Sequence, residues 1–147
     1  MVTTVFFDLG DTLGRPVLSP PPIHLAGFEA FDFAAPVLTG LAGRGLRLGV
    51  ISNTGDDEGP AVDAILAAAG LLGFFADGLR IYSRDVGLRK DSPAIFELAA
   101  DRAGTPPSAC MFVGENPEER AFAQAAGMTT APSALSAGET LIPQPEI

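Results

Sequence analysis

The sequence predicts a single doubly wound (Rossmann-like) α/β domain with a parallel sheet of about five strands. Two observations favour this fold class. Short runs rich in β-branched and aromatic residues alternate along the chain with segments whose apolar residues recur at helical spacing. Strands that alternate with helices form a parallel sheet covered on both faces. The 147 residues, 47% of them hydrophobic, suit one domain with a buried core.

The first half of the chain supplies three of the predicted strands. Residues 2–7 combine β-branched and aromatic residues, and residues 46–51 form a continuous apolar run, so both are strands. Residues 9–30 are predicted to be loop because they contain several glycines and the run Pro20-Pro21-Pro22. In order, the predicted elements are a strand at 2–7, a loop at 9–30, a helix at 33–42, a strand at 46–51, a helix at 60–70 and a strand at 79–82.

The second half repeats the alternation. Ser92 is predicted to cap a helix with Pro93 at its first position, and Pro117 to begin a helix that Gly127 ends. In order, the predicted elements are a helix at 93–104, a strand at 110–113, a helix at 117–126 and a short strand at 128–131. Residues 1–131 then form the core domain, and residues 132–147 a Pro-rich C-terminal tail that is mobile or lies on the surface.

Charge and composition argue against several kinds of partner. A net charge of −9 and a pI of about 4.3 leave no basic surface for nucleic acid. No apolar run reaches the ~18 residues of a membrane span, and residues 1–4 lack the basic start of a secretory signal. The single cysteine, Cys110, falls in a predicted strand and is interpreted as core. A chain without an internal disulfide suits a reducing compartment, so a cytoplasmic location is expected.

Polar side chains follow four of the predicted strands. Asp8 follows the first strand and Ser52 the second, Lys90 follows a loop after the third, and Glu115 follows the fourth. The carboxyl ends of parallel strands meet at one edge of the sheet, where such folds bind ligands. A carboxylate there can attack phosphorus, a hydroxyl and an ammonium can hold phosphoryl oxygens, and Mg²⁺ allows two carboxylates to lie together.

Lys90 is the only lysine among nine basic residues, which indicates a need for a compact ammonium group at this position. It lies outside the apolar patterns that build the core. Its replacement is therefore expected to change stability by no more than about 1 kcal/mol.

The motifs around these residues resemble those of the haloacid dehalogenase (HAD) superfamily. Four segments resemble its motifs I to IV, in order: residues 5–13, 50–53, 87–96, and 112–119 together with 125–128. The match extends from residue 2 to about residue 131. One such motif alone is weak, but four in order, each at or after a predicted strand end, are specific.

The resemblance implies a HAD core without a cap domain and a role for each site residue. Asp8 is implied as the nucleophile, and Lys90 as the cation that pairs with it. Ser52 and Asn53 are implied to bind phosphate. Mg²⁺ is implied as the cofactor. Its implied ligands are Asp8, the backbone carbonyl of Gly10 and Glu115, with Glu119 as a possible further ligand.

Two departures from the family pattern bear on activity. HAD phosphatases carry a second Asp two residues after the nucleophile as general acid and base, whereas this chain has Gly10 there and Asp11 one place later. General acid–base catalysis is worth ~10²–10⁴ in rate, so hydrolysis is expected to be weak unless Asp11 substitutes. Residues 13–33 and 54–82 are also too short for a cap. The open site is expected to accept bulky substrates or to be covered by another copy of the chain.

Three functions remain open from the sequence. The first is a Mg²⁺-dependent phosphohydrolase that forms an aspartyl-phosphate on Asp8 and acts on a small or macromolecular phosphorylated substrate. The second, favoured by Gly10, is a catalytically silent binding or regulatory domain of the HAD fold. A dehalogenase-type hydrolase ranks last because it normally needs a cap. His24 is interpreted as a structural or solvated loop residue, and Arg84 and Arg89 as solvated charges.

Overall fold

The computed structural model describes residues 1–142 and confirms the predicted fold class. Five parallel strands form one sheet in the order β5-β4-β1-β6-β7. The strands of this sheet are β1 (Thr4–Phe7), β4 (Arg47–Ser52), β5 (Arg80–Tyr82), β6 (Cys110–Val113) and β7 (Thr129–Ala131). The helices are α1 (Ala34–Gly43), α2 (Gly59–Ala68), α3 (Ser83–Val86), α4 (Ala94–Ala103), α5 (Pro117–Ala125) and α6 (Ala134–Leu141).

Successive side chains of the strands point to opposite faces of the sheet and pack into two separate hydrophobic cores. In β1, Val5 and Phe7 face the core shared with α1, α2 and α6, whereas Phe6 faces the core shared with α4 and α5. All three side chains are fully buried. The central strand is therefore apolar on both faces, as a parallel sheet between two helical layers requires. β1 ends at the buried Phe7, and Asp8 is the first residue after the strand.

The segment predicted as loop at residues 9–30 instead contains a β-hairpin. The strands β2 (Gly14–Leu18) and β3 (Leu25–Ala30) pair antiparallel, with an irregularity between Val17 and Leu18. Gly14 allows this pairing because a Cβ there would overlap the backbone carbonyl of Glu29. The prolines at 20–22 lie at the hairpin tip, between the strands. The prediction was wrong because glycine and proline signals at the tip and edges outweighed two short, partly exposed strands.

The predicted surface tail from residue 132 is also corrected over most of its described length. Ser133 accepts a hydrogen bond from the backbone N–H of Ser136 and begins helix α6, which packs against α1 and β7. Ala134 and Ala137 are fully buried there. Small residues allow this close packing, and their weak apolar pattern hides the helix in the sequence. Residues 143–147 lie outside the described part of the chain, and the division at residue 131 remains a prediction.

A polar contact ties α2 to strand β5. The Tyr82 hydroxyl donates to Asp63 at 2.6 Å, and Arg80 donates to the other oxygen of the same carboxylate at 2.6 Å. Burial, followed by the hydrogen bond and charge of Asp63, raises the pKa of Tyr82 well above its usual range. The phenol therefore stays a neutral donor. This contact holds α2 beside the carboxyl end of β4, where the site loop begins. Within residues 1–142, no helix has both the length and the apolar character needed to cross a bilayer.

Gly49 in β4 provides a test of the central packing. A Cβ at this position would lie 2.6 Å from the Leu79 carbonyl oxygen and 2.7 Å from the Phe6 ring. We expect Gly49→Ala to lower the free energy of unfolding by about 1–3 kcal/mol, as overpacking does. Gly43→Ala is the control, because a Cβ there meets nothing within 4 Å and should be neutral or stabilising by up to about 1 kcal/mol. Urea denaturation of both variants measures this, and equal stabilities would contradict the close packing.

Candidate active site

The candidate site lies at the carboxyl edge of the sheet, where the strand order reverses between β1 and β6. Asp8 directly follows β1, and its backbone N–H donates to the Val113 carbonyl at 2.9 Å, so it remains tied to β6. Ser52 is the last residue of β4 and is buried. Gly114 follows β6, and a Cβ there would lie 3.5 Å from the Cβ of Asp8. The sheet thus brings these three positions together, as the sequence predicts for such a fold.

Lys90 is buried and contacts two carboxylates. Its Nζ lies 2.6 Å from Oδ1 of Asp8, to which it donates a hydrogen bond, and 2.8 Å from Oε1 of Glu119. The Lys90 side chain is 2% exposed, against 13% for Asp8 and 17% for Glu119. Nζ also lies 5.6 Å from the centre of the Phe112 ring. Two carboxylates therefore share one ammonium in a setting with little water, where ionic contacts are stronger than at a surface.

The backbone that carries Lys90 is held by α3 and by Asn53. Gly87 ends α3 with φ of 70°, a left-handed conformation that glycine adopts without strain. The side-chain oxygen of Asn53 then accepts a hydrogen bond from the Lys90 backbone N–H at 3.0 Å. Asn53 was predicted to orient phosphate. In the structure its carbonyl oxygen positions Lys90, and its amide group makes no hydrogen bond within the described residues.

Helix α5 places Glu119 beside Lys90. The resemblance implied this acid only as a possible further metal ligand. Asn116 caps the helix by accepting hydrogen bonds from the backbone N–H groups of Glu118 and Glu119. This cap fixes the first turn so that the Glu119 carboxylate reaches Lys90. Glu115, by contrast, is exposed, has no ion pair within residues 1–142, and does not line the cavity described below. Its role as a metal ligand stays a prediction.

Gly10 and Asp11 occupy different surroundings. Gly10 lines the cavity beside Pro16, and a Cβ built on it would lie 3.7 Å from the proline ring, an ordinary contact. Asp11 is exposed, does not line the cavity, and has φ of 63°, the one positive φ of a non-glycine residue in the described chain. The Asp11 side chain therefore lies outside the cavity that Asp8 lines. It does not substitute for the missing acid in this conformation.

A cavity of about 390 Å³ opens above these residues. Its polar floor is formed by Asp8, Ser52, Lys90 and Glu119. One wall is the loop at residues 53–57 after β4. The opposite wall is the hairpin, whose contribution is mostly apolar: Pro16, Leu18, Ile23, Leu25 and Phe28. The cavity thus offers a charged end and an apolar side, and no cap domain covers it within residues 1–142.

The donors of the floor fit a hard divalent cation. They are oxygen atoms, and the two carboxylates paired with one ammonium leave a formal charge of −1. Oε1 of Glu119 is buried, and its polar contact within the described residues is the ion pair with Lys90 Nζ. No group of three acidic, His or Cys side chains within the described residues is arranged to hold a metal by itself. Mg²⁺ needs no such group, since it is typically held by one or two carboxylates together with water and substrate phosphate.

Comparison with known proteins defines the family. The model of a hydrolase family described as haloacid dehalogenase-like hydrolase matches residues 14–127. The chain therefore belongs to the haloacid dehalogenase-like hydrolase family. It is 36% identical over 107 residues to a phosphoglycolate phosphatase from Rhodospirillum rubrum, covering 73% of this chain and 42% of that protein. The chain thus spans less than half the length of this relative.

Two solved structures show the same fold. An uncharacterized protein from Listeria monocytogenes serotype 4b aligns with a TM-score of 0.80 at 16% identity, covering 95% of this chain and 97% of that one. A HAD-superfamily hydrolase of subfamily IA from Geobacter sulfurreducens PCA aligns with a TM-score of 0.68 at 19% identity, covering 88% of each chain. Both cover nearly the whole described domain, so the fold recurs in chains of similar length.

Sequence reasoning missed two groups of residues at the site. Ser83 lies in a segment predicted as loop, yet its hydroxyl accepts the Thr54 backbone N–H at 2.8 Å and fixes the loop after β4. His24 and Asp57 both line the cavity and contact each other. No local pattern indicates these contacts, because each joins segments about 30 residues apart. The acid-rich run at residues 56–58 indicates a polar loop after β4, but it does not indicate the partner of Asp57.

The burial of Lys90 revises the expectation that its loss costs little stability. Lys90→Met leaves Asp8 and Glu119 charged, close together and without a counter-ion, so we expect a loss of more than about 2 kcal/mol at pH 7. Arg89→Met is the matched control, because Arg89 is the exposed neighbour and its loss should cost less than about 0.5 kcal/mol.

A double variant isolates the electrostatic cause. Adding Glu119→Gln to Lys90→Met removes one of the two carboxylates and should recover part of the lost stability in urea denaturation. If Lys90→Met alone unfolds at the same urea concentration as the wild type, the two ion pairs contribute nothing to stability.

Proposed function

We propose that this domain is a Mg²⁺-dependent phosphohydrolase that works through an aspartyl-phosphate on Asp8. The observation that carries the proposal is the 2.6 Å contact between Lys90 Nζ and Asp8 Oδ1 at the charged end of the cavity. An ammonium in this position pairs with the Asp8 carboxylate and offsets charge on a phosphoryl group as it is attacked.

The remaining side chains have complementary roles in the proposal. Ser52 lies at the end of β4, where its hydroxyl can donate to a phosphoryl oxygen. Glu119 is the second carboxylate paired with Lys90 Nζ, at 2.8 Å, and keeps the ammonium fixed during transfer. Asp8, the carbonyl of Gly10 and Glu115 would hold Mg²⁺, which when bound neutralises phosphate charge so that an anionic nucleophile can approach.

The substrate class follows from the cavity and from one relative. The name of the Rhodospirillum rubrum protein states a phosphatase activity on a small phosphate ester, which supports phosphate monoesters as substrates here. An apolar hairpin wall beside a charged floor suits an ester whose phosphate enters first. With no cap over residues 1–142, a larger phosphorylated partner can also reach Asp8.

A silent binding domain is the second candidate, and Gly10 favours it. The residue provides no side chain to protonate a leaving group or to activate water. Such a domain would still bind phosphate and Mg²⁺ through Asp8, Ser52 and Lys90. It would release no phosphate from any ester, which separates the two candidates.

A panel of phosphate esters, assayed for phosphate release with and without Mg²⁺, tests the proposal. We expect Mg²⁺-dependent turnover of at least one ester and a loss of more than about 10³-fold in Asp8→Asn, because the covalent step needs the carboxylate. Asp11→Asn is the matched control, since the Asp11 side chain lies outside the cavity. Unchanged turnover in Asp8→Asn excludes the aspartyl-phosphate, and no turnover by the wild type leaves the silent domain.

Titration calorimetry tests the metal ligands separately from activity. We expect Glu115→Gln to weaken Mg²⁺ binding by at least about 10-fold, because a Mg²⁺ site uses few carboxylates and losing one is costly. Glu118→Gln is the control: Glu118 is an exposed acid in the first turn of α5, three residues after Glu115, and this variant should bind Mg²⁺ like the wild type. Glu119→Gln is the informative third variant. A larger loss in Glu119→Gln than in Glu115→Gln would transfer the metal-ligand role to Glu119.

A further inference from the structure

A histidine and an aspartate face the same cavity as the nucleophile. Nδ1 of His24, at the hairpin tip, lies 3.0 Å from Oδ1 of Asp57, in the loop after β4. Both residues line the cavity together with Asp8, Gly10 and Lys90. His24 is the only histidine in the chain. Its side chain is 46% exposed, so it is accessible from the cavity and from solvent.

The position of this histidine is fixed on both sides. The second oxygen of Asp57 accepts a hydrogen bond from the Leu25 backbone N–H at 2.9 Å. The Ser19 hydroxyl accepts from the His24 backbone N–H at 3.0 Å, and the Ser19 N–H donates to the His24 carbonyl at 2.9 Å. A carboxylate on Nδ1 orients the ring and leaves Nε2 free. Within residues 1–142, Nε2 makes no hydrogen bond.

The site lacks a proton donor elsewhere. Gly10 has no side chain, and Asp11 lies outside the cavity. Lys90 is held by Asp8 and Glu119, and it must stay charged to bind phosphate. The other titratable groups on the cavity are Asp56 and Asp57 in the loop and Asp8 and Glu119 on the floor. Histidine is the side chain that commonly exchanges a proton between about pH 5 and pH 8.

We propose that His24, oriented by Asp57, is the general acid and base of this site, in place of the side chain that Gly10 lacks. This role rests on the proposed phosphohydrolase function. In the first step, an Asp8 oxygen forms a bond to phosphorus while the bond from phosphorus to the ester oxygen breaks. The protonated Nε2 gives its proton to that oxygen, and the alcohol leaves.

The second step returns the proton. Neutral Nε2 accepts a proton from water as the water oxygen bonds to phosphorus and the bond to Asp8 breaks. Inorganic phosphate leaves, and His24 is again protonated. In other hydrolytic sites too, a carboxylate orients a histidine ring so that the ring can transfer a proton.

Two esters of similar size and different leaving groups test the role. Benzyl phosphate releases an alkoxide that needs a proton, whereas 4-nitrophenyl phosphate releases a phenolate that does not. We expect His24→Asn to lower the ratio of their kcat/KM values, benzyl over nitrophenyl, by about 10²-fold, the size of a general-acid effect. Asp57→Asn should lower the same ratio by about 10-fold, because the ring loses its charged partner but is still present.

The pH dependence gives an independent readout. The acid must be protonated, so kcat/KM of the wild type for benzyl phosphate should fall as rising pH removes the proton from His24. His24→Asn should lack this decline. It should also release nitrophenol in a rapid burst, because the aspartyl-phosphate accumulates when no base activates water.

An acid introduced at position 10 should partly restore the general-acid function that His24→Asn removes. Gly10→Asp with Asp11→Gly places a carboxyl group where the contact to Pro16 is ordinary, and gives the positive φ of position 11 to glycine. Added to His24→Asn, this exchange should raise the benzyl-to-nitrophenyl ratio by at least about 10-fold.

The control separates chemistry from hairpin position. Ser19→Ala removes the hydroxyl that holds the His24 backbone and leaves the ring intact, so it should change both esters by the same factor. If His24→Asn also lowers both kcat/KM values equally, His24 only anchors the hairpin and the acid–base role is overturned while the phosphohydrolase stands. If the wild type hydrolyses neither ester nor any other, the proposed function fails and this role fails with it.

Discussion

The contact of one buried ammonium with two carboxylates is the constraint on which the site depends. Lys90 meets Asp8 across 82 residues of sequence and also pairs with Glu119. Three separate segments must be placed correctly for this contact to exist: the end of β1, the turn after α3 and the first turn of α5. A buried charge without a partner is costly, so the fold and the site stabilise each other. Removal of the lysine is therefore expected to lower stability as well as activity.

The order of the strands in the sheet brings the residues of this contact together. Strands β1 and β6 are adjacent and parallel, and the chain crosses to the other side of the sheet between them. At such a point the helices on the two faces leave an opening at the carboxyl ends of the strands, where folds of this kind bind ligands. Gly114 keeps the opening clear, because a side chain there would overlap the Phe112 ring. The same ring lies beside Lys90, which joins the apolar core directly to the charged floor.

The hairpin supplies most of the apolar residues that line the cavity. It supplies the apolar wall, and its tip is held to the loop after β4 by His24, Leu25 and Asp57. Where the family pattern has an acid beside the nucleophile, this chain has Gly10, and Pro16 of the hairpin lies next to it. The hairpin therefore borders the position from which the usual acid would act, without filling it. A proton donor carried by the hairpin itself is consistent with this arrangement.

The sequence by itself determined the fold class, because burial of strands on both faces and the helical spacing between them are local, periodic signals. It also determined which residues follow the strands, since Asp8, Ser52 and Lys90 were identified from position and chemistry. Three features depended on tertiary structure. The hairpin at 14–30 is stabilised by pairing between its strands and hidden by its prolines. Helix α6 is stabilised by close contact of alanines with α1. The ion pair of Glu119 with Lys90 depends on the first turn of α5, which Asn116 caps. Each of these is decided by contacts between distant segments, which a local pattern does not record.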